Sequence, residues 1–324
     1  MEAFWLEKRV LVTGANGFVG AWLVKTLLRE RATVVALVRD DTPGGLRLHR
    51  LSGDIVTVRG DVTDALLLAR VLNEYEIDTV FHLAAQSLVP IAARSPLSTF
   101  ESNIRGTWTL LEQCRLVGRL RRIVVSTSDK VYGNQDSARL SEEAPLLGLY
   151  PYDVSKVCAD LIARSYAASF GLPVAVARFA NLFGGGDLNF SRIVPCAMRS
   201  ALLGRPIILR SDGSHQRGFL YVEDAVSGFL ALARGLDRDD VRGQAFNFGG
   251  GETVEIMTLA KLIAALAGRG DLPVVCGGAP ATGEIRRQSL DSAKASGVLG
   301  WRPSVDLADG LRITMDWYRG FFGV

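Results

Sequence analysis

The feature that most constrains this chain is a turn of three evenly spaced glycines. The apolar run Val10–Thr13 leads into Gly14-Ala15-Asn16-Gly17-Phe18-Val19-Gly20, and a helical pattern begins at once. Glycines in a strand–turn–helix setting let the backbone approach a pyrophosphate, and the first N–H groups of the helix supply positive potential. Such spacing also arises in turns made only for packing, so the flanking strand and helix are what point to a bound dinucleotide. Gly14, Asn16, Gly17, Phe18, Val19 and Gly20 are the expected cradle.

The rest of the first half keeps the same rhythm. Short β-branched runs at 10–14, 34–38, 54–60, 79–85, 122–128 and 173–179 alternate with helical spacing at 17–30, 64–73, 97–118 and 152–170. Strands separated by helices predict an α/β fold, a Rossmann-like doubly wound parallel sheet with helices on both faces. Beyond residue 184 Gly and Pro punctuate the pattern, and helices are expected at 191–203, 223–234, 257–267 and 307–320. This predicts an NAD(P)-binding domain over 1–184, receiving a strand and a helix from the C-terminal half, and a smaller substrate-binding region over 185–324. No repeat or low-complexity linker separates them, which places a cleft between the two.

Composition removes several alternatives. With 324 residues, 48% hydrophobic and 22% charged, the chain can bury a full core, and its net charge of +3 comes without a basic run interleaved with aromatics. No nucleic-acid partner is expected. No stretch approaches the roughly 18 uninterrupted apolar residues of a membrane helix, and no secretory leader is visible, so no membrane partner and a cytoplasmic location are expected. Cys114, Cys158, Cys196 and Cys276 lie far apart, and only His49, His82 and His215 are present. That leaves little for a metal site or a catalytic triad, and no metal is expected.

The second strand run ends in Val38-Arg39-Asp40 rather than directly in the carboxylate that holds the ribose 2′-hydroxyl in many NAD sites. Arg39 either pairs with a 2′-phosphate or merely stacks on adenine or reaches solvent. NAD and NADP both remain open, as a tightly bound cofactor.

Tyr152-Asp153-Val154-Ser155-Lys156 opens a predicted helix after Pro151. The i, i+4 spacing puts phenol and ammonium on one face. A phenol with a pKa near 10 is a weak base unless a cation favours its anion, and Lys156 offers that charge. These residues, the glycine turn, His82-Leu83-Ala84-Ala85-Gln86 and Arg178–Gly184, occur in order over essentially the whole chain. Together they resemble the extended short-chain dehydrogenase/reductase family, whose members include NAD-dependent epimerases and dehydratases acting on nucleotide sugars.

The resemblance implies that Asp61 and Val62 flank adenine, that Leu83, Ala84 and Ala85 line the cofactor, and that Gln86 reaches the substrate. It implies Asn103 on a helix beneath the site and Phe179 to Leu182 beside nicotinamide and substrate phosphate, with Asn181 as a substrate contact. His82 is expected to pack rather than to transfer protons.

Ser128-Asp129-Lys130, after the fifth strand run, discriminates most within the family. Members that only epimerise or reduce generally need just Ser or Thr here, whereas 4,6-dehydratases add an acid and a proton-abstracting partner. The Asp-Lys form resembles CDP-glucose 4,6-dehydratase-like nucleotide-sugar dehydratases of deoxysugar biosynthesis, although residues 216–224 follow the broader family pattern. The implied reaction is redox-neutral, with Ser128, Asp129, Lys130, Tyr152 and Lys156 as its catalytic set. Arg192, Arg217 and Arg286 are the expected cations for a nucleoside diphosphate, by bidentate contact with its oxygens. Segments 97–118 and 152–170 are expected to pair with their copies in a homodimer. The alternatives are a nucleotide-sugar 4-epimerase and a non-catalytic NAD(P)-binding sensor or scaffold.

Overall fold

The computed structural model describes residues 4–40, 44–51, 53–135, 139–278 and 286–324. The chain begins with β1 (Arg9–Thr13), α1 (Phe18–Arg29), β2 (Thr33–Val38), a one-turn α2 (Gly45–Leu48), β3 (Val56–Arg59), α3 (Ala65–Glu74) and β4 (Thr79–His82). Next come α4 (Val89–Arg94), α5 (Pro96–Phe100), a π-helical turn (Glu101–Arg105) and α6 (Gly106–Val117). Then β5 (Arg122–Ser128), a 3₁₀ turn (Asp129–Tyr132), α7 (Pro151–Phe170) and β6 (Val174–Phe179) complete the first half. The C-terminal half adds β7 (Asn181–Phe183), α8 (Ile193–Leu202), β8 (Ile207–Leu209), β9 (Gln216–Tyr221), α9 (Val222–Gly235) and β10 (Ala245–Phe248). It ends with β11 (Thr253–Glu255), α10 (Ile256–Leu266), β12 (Val274–Cys276), β13 (Arg287–Gln288), α11 (Ala293–Leu299) and α12 (Leu307–Phe322).

The central sheet is parallel throughout, in the order β10-β6-β5-β4-β1-β2-β3. Its first six strands match the runs legible in the sequence. The order reverses between β1 and β4, which opens a crevice at the C-terminal strand ends where such sheets bind ligands. The seventh strand, β10, comes from the C-terminal half and sets Phe248 opposite Phe179. Its four residues Ala-Phe-Asn-Phe are all buried, so it lacks the alternation that marks a half-buried strand.

On one face, α1 and α9 bring Leu23, Leu27, Phe229 and Ala233 against Val10, Val12 and Phe81. The same apolar core continues without a break into α8, α10 and α12 through Met198, Ile263 and Met315. On the other face, α3, α6 and α7 bury Leu68, Leu72, Leu110, Leu111 and Ala163 against Leu11, Val80, Ile123 and Val125. Each of the larger side chains here contributes about 1.5–3 kcal/mol relative to exposure, so both layers hold the strand ends in place. The C-terminal half adds a small sheet in which β9 pairs with β7, β11 and β13, and the two-stranded β8–β12 pair. No helix among the described residues is long and apolar enough to cross a membrane.

Candidate active site

At the end of β1 the glycine turn is fixed by contacts that exclude a side chain. Gly14 has φ +71°, and a Cβ on it would lie 2.7 Å from the Ala84 nitrogen. A Cβ on Gly20 would meet the Gly14 carbonyl oxygen at 2.2 Å. Gly17 caps α1 with no side-chain hydrogen bond, and the first turn carries no acidic residue. Its N–H groups, on residues that line the cleft, suit an anion. A dinucleotide pyrophosphate therefore fits this turn.

The cleft, of about 1190 Å³, holds every cofactor residue expected from the sequence: Gly14, Asn16, Gly17, Phe18, Val19, Gly20, Arg39, Asp61, Val62, Leu83, Ala84, Ala85, Tyr152, Lys156 and Phe179. Arg39 is paired with Asp40, Nε to Oδ2 at 2.9 Å, and Asp61 adds a second negative charge nearby. Two carboxylates around one guanidinium do not make the cationic site that a 2′-phosphate needs. Asp61 itself caps the next turn, accepting from the Thr63 amide and hydroxyl at 2.8 and 2.7 Å.

β4 stops at His82, earlier than the run 79–85 suggests, because Thr13 bends the following segment across β1. The Leu83 amide donates to the Thr13 carbonyl at 3.1 Å, and the Ala84 amide donates to its hydroxyl oxygen at 3.1 Å. His82 lies between Thr13 and Thr107, 2.8 and 3.0 Å from their hydroxyls, and burial pushes its pKa down to about 3. It is a packed, neutral residue. Asn103, in the π-helical turn, accepts from the Gln86 amide at 2.7 Å and donates to the Gln86 carbonyl and the Ser155 hydroxyl at 3.1 and 2.8 Å. The sequence gives no sign of the extra residue that turns this helix inward, although such turns gather at functional sites.

Ser128, Asp129, Lys130, Tyr152 and Lys156 all line the same cleft. The Ser128 hydroxyl donates to Asp129 Oδ1 at 2.8 Å, and Asp129 is buried. The Tyr152 phenol is pushed up to about 12, first by burial and then by the Asp129 carboxylate; Arg192 and a hydrogen bond with Ser128 oppose this. Burial pushes Lys156 down to about 8. Its Nζ donates to the Ser126 carbonyl at 3.0 Å, bracing the end of β5 against α7. Lys130 Nζ donates to the Gln288 side-chain oxygen at 2.6 Å.

On the substrate side, Gln86, Asn181, Arg192 and Arg217 line the cleft, whereas the exposed Arg286 does not. Asn181 donates to the Gly218 carbonyl at 3.1 Å. Arg192 caps α8 and holds Asp187 at 3.0 Å. Arg217 donates to the Gln216 and Arg286 carbonyls at 2.9 and 3.2 Å, so Arg286 meets the site through its main chain. Arg210 and Asp153 are among the lining residues that escaped sequence reasoning. Arg210, which donates to the Ser191 carbonyl at 2.6 Å, adds a cation. Asp153 is raised to about 6 by burial, against the pull of Lys130 and with a further push from Asp129. Its position directly after Tyr152 was the available signal, but an acidic residue in a helix's first turn is common enough to hide it.

Comparison with known proteins places this geometry. The chain is 32% identical to CDP-glucose 4,6-dehydratase of Salmonella typhimurium, covering 98% of this chain and 92% of that one. It is also 32% identical to UDP-glucose 4-epimerase of Mycolicibacterium smegmatis, covering 96% of this chain and 98% of that one. The structure of dTDP-glucose 4,6-dehydratase from Streptomyces venezuelae with NAD bound superposes with a TM-score of 0.89 at 32% identity, covering 97% of this chain and 98% of the other. The model of the NAD dependent epimerase/dehydratase family matches residues 10–249, and with the glycine cradle and the Tyr152–Lys156 helix in place, the chain is an enzyme of that family.

Proposed function

We propose that this enzyme is a nucleotide-sugar 4,6-dehydratase, converting an NDP-hexose to its 4-keto-6-deoxy form with bound NAD and no net redox change. One observation carries the reading: the Ser128-Asp129-Lys130 turn shares a cleft with Tyr152 and Lys156. A C4 epimerase of this family has work for a Ser-Tyr-Lys set but none for the added acid and base.

Bound NAD would accept the C4 hydride and return it at C6. Tyr152 takes the O4 proton, with the Arg192 cation in the same cleft working against the rise in its pKa, while Ser128 hydrogen-bonds to O4 as charge develops there. The 4-ketone acidifies C5, and Lys130 accepts the C5 proton. Asp129 protonates the C6 hydroxyl, which leaves as water. With hydride delivered to C6 and the proton on Lys130 returned to C5, the sugar has lost one water, the O4 proton kept by Tyr152 balances the one a protonated Asp129 gave, and the cofactor is unchanged.

Residues 1–184, joined by α9 and β10, form the NAD-binding part in this reading, and residues 185–324 supply most of the nucleotide-sugar side. Arg192, Arg210, Arg217 and Asn181 hold the diphosphate, with the Arg286 carbonyl fixing Arg217. On the far side of the sheet, α6 and α7 expose Trp108 and Leu161 beside Tyr166, an apolar face that suits a second copy of the chain. Sedimentation velocity should give a dimer.

The test is product mass from a panel of NDP-glucose and NDP-N-acetylglucosamine substrates. The expected result is loss of one water, reduced about 10²–10⁴-fold in Asp129→Asn. Unchanged mass with inverted C4 establishes the epimerase instead.

A further inference from the structure

We propose that Gln288 is a positioning residue for the Asp129–Lys130 pair, resting on the dehydratase reading above. Its side-chain oxygen accepts from Lys130 Nζ at 2.6 Å, and its Nε2 donates to the Asp129 carbonyl oxygen at 2.8 Å. One amide thus grips both members of the pair, Lys130 through its side chain and Asp129 through its backbone. The two contacts also fix which way the amide points, because an ammonium must meet its oxygen and a carbonyl must meet its nitrogen.

Gln288 is held firmly enough to do this. It is 1% exposed and lies in β13, where it stands in register with Arg217 of β9. Arg217 in turn bonds to the Arg286 carbonyl, and the Gln216 amide bonds to the same oxygen at 2.9 Å. The strand that carries Gln288 is therefore fastened to the strand that carries a cleft-lining cation. Fastened so, it sets where the Lys130 nitrogen stands relative to C5 of a bound sugar.

An amide suits this position better than the other side chains able to reach it. A carboxylate would grip the ammonium more tightly and keep the proton on nitrogen, against the need for Lys130 to accept one from C5. An apolar side chain would leave the ammonium without this acceptor and the Asp129 carbonyl without this donor. The neutral amide orients the nitrogen and adds no charge.

The experiment is Gln288→Met in the full-length, NAD-loaded enzyme, read in two parts. Reduced nicotinamide absorbance follows oxidation at C4, and product mass follows loss of water. We expect KM and C4 oxidation to stay as in wild type while dehydration slows about 100-fold, as misplacement by an ångström can do. Reduced cofactor should therefore accumulate during turnover. In a Lys130→Met background the same substitution should cost much less than in wild type, because only its hold on the Asp129 carbonyl is then left to lose. If the methionine variant does not fold, Gln288→Asn, too short to span both partners, is measured the same way.

Wild-type dehydration in Gln288→Met overturns the role of Gln288 and leaves the dehydratase reading standing. A parallel fall in C4 oxidation, dehydration and NAD content overturns it too, by making the residue merely structural. A wild-type enzyme that releases no dehydrated product overturns the dehydratase reading itself, before any variant is made.

Discussion

The glycine turn after β1 and the Asp129–Lys130 turn after β5 stand at the same edge of one sheet, yet they are built in opposite ways. The first is backbone. Gly17 donates to the Gly14 carbonyl at 3.0 Å, Ala21 closes the next turn on Gly17, and Leu83 and Ala84, just past the end of neighbouring β4, crowd Gly14. The second is made of side chains brought from far along the chain. Gln288 holds Asp129 and Lys130, and the Tyr132 hydroxyl donates to Asn247 at 2.7 Å. Arg178 donates to that hydroxyl at 2.8 Å while gripping Asp160 at 2.7 and 2.9 Å. A site that binds a chemically constant group, a pyrophosphate, works with main-chain donors. A site that moves protons needs titratable groups, and these must be oriented individually.

The sharpest way to break this contrast is a methyl group in the first turn. Gly20→Ala places a Cβ against the Gly14 carbonyl, and neither backbone can yield without moving β1 or α1. Overpacking of this kind costs about 1–3 kcal/mol, so NAD affinity should fall about 5- to 150-fold, with the melting temperature falling alongside it. Calorimetric titration with NAD checks it. Affinity and stability moving together is the signature of a backbone-built site, and wild-type affinity in the variant would remove the contrast.

Beside the second turn, on α7, the expected signature is the reverse, a buried charge that lowers stability. Asp153 has its folded pKa raised from 3.8 to about 6. The native state therefore holds the proton more tightly than the unfolded chain. Stability from this group is full below about pH 4 and is lost as pH rises through 6. Asp153→Asn, which keeps the shape without the charge, should be more stable than wild type at pH 7 by up to about 3 kcal/mol and equal to it at low pH. Melting curves from pH 4 to 7 check this, and parallel curves for the two proteins would show that the buried carboxylate costs nothing.

The same contrast explains what could be read from the sequence. The glycine turn and six strands were legible because they are local: spacing and β-branched runs declare them within a few residues. Tyr152 and Lys156 were legible from their i, i+4 spacing once family likeness gave it weight, and the Ser128-Asp129-Lys130 turn was legible through family likeness alone. What was not legible is long-range. β10 hides as four buried residues without alternation, and β13 is two residues long. Gln288, 159 residues from Asp129, has no neighbour in sequence that hints at its partners. Arg286 looked like a phosphate ligand by type, but its side chain stands outside the cleft and its carbonyl braces Arg217. Residue type predicts chemistry only when the backbone aims the side chain, and that aim is set by pairing across the sheet.

The smallest expected effect lies where the backbone site borrows a side chain. Arg39 and Asp40 are both more than half exposed, so their ion pair is worth less than about 1 kcal/mol. Asp40→Ser frees the Arg39 guanidinium for a 2′-phosphate and removes one of the two carboxylates beside it. The NADP-to-NAD affinity ratio should rise, but by no more than about fivefold, and less at high salt because both groups are in water. Competitive titration of the two dinucleotides at two ionic strengths measures it. A shift of a hundredfold would mean that side-chain charge, not the glycine backbone, governs cofactor binding here, and the two turns would then be alike in construction.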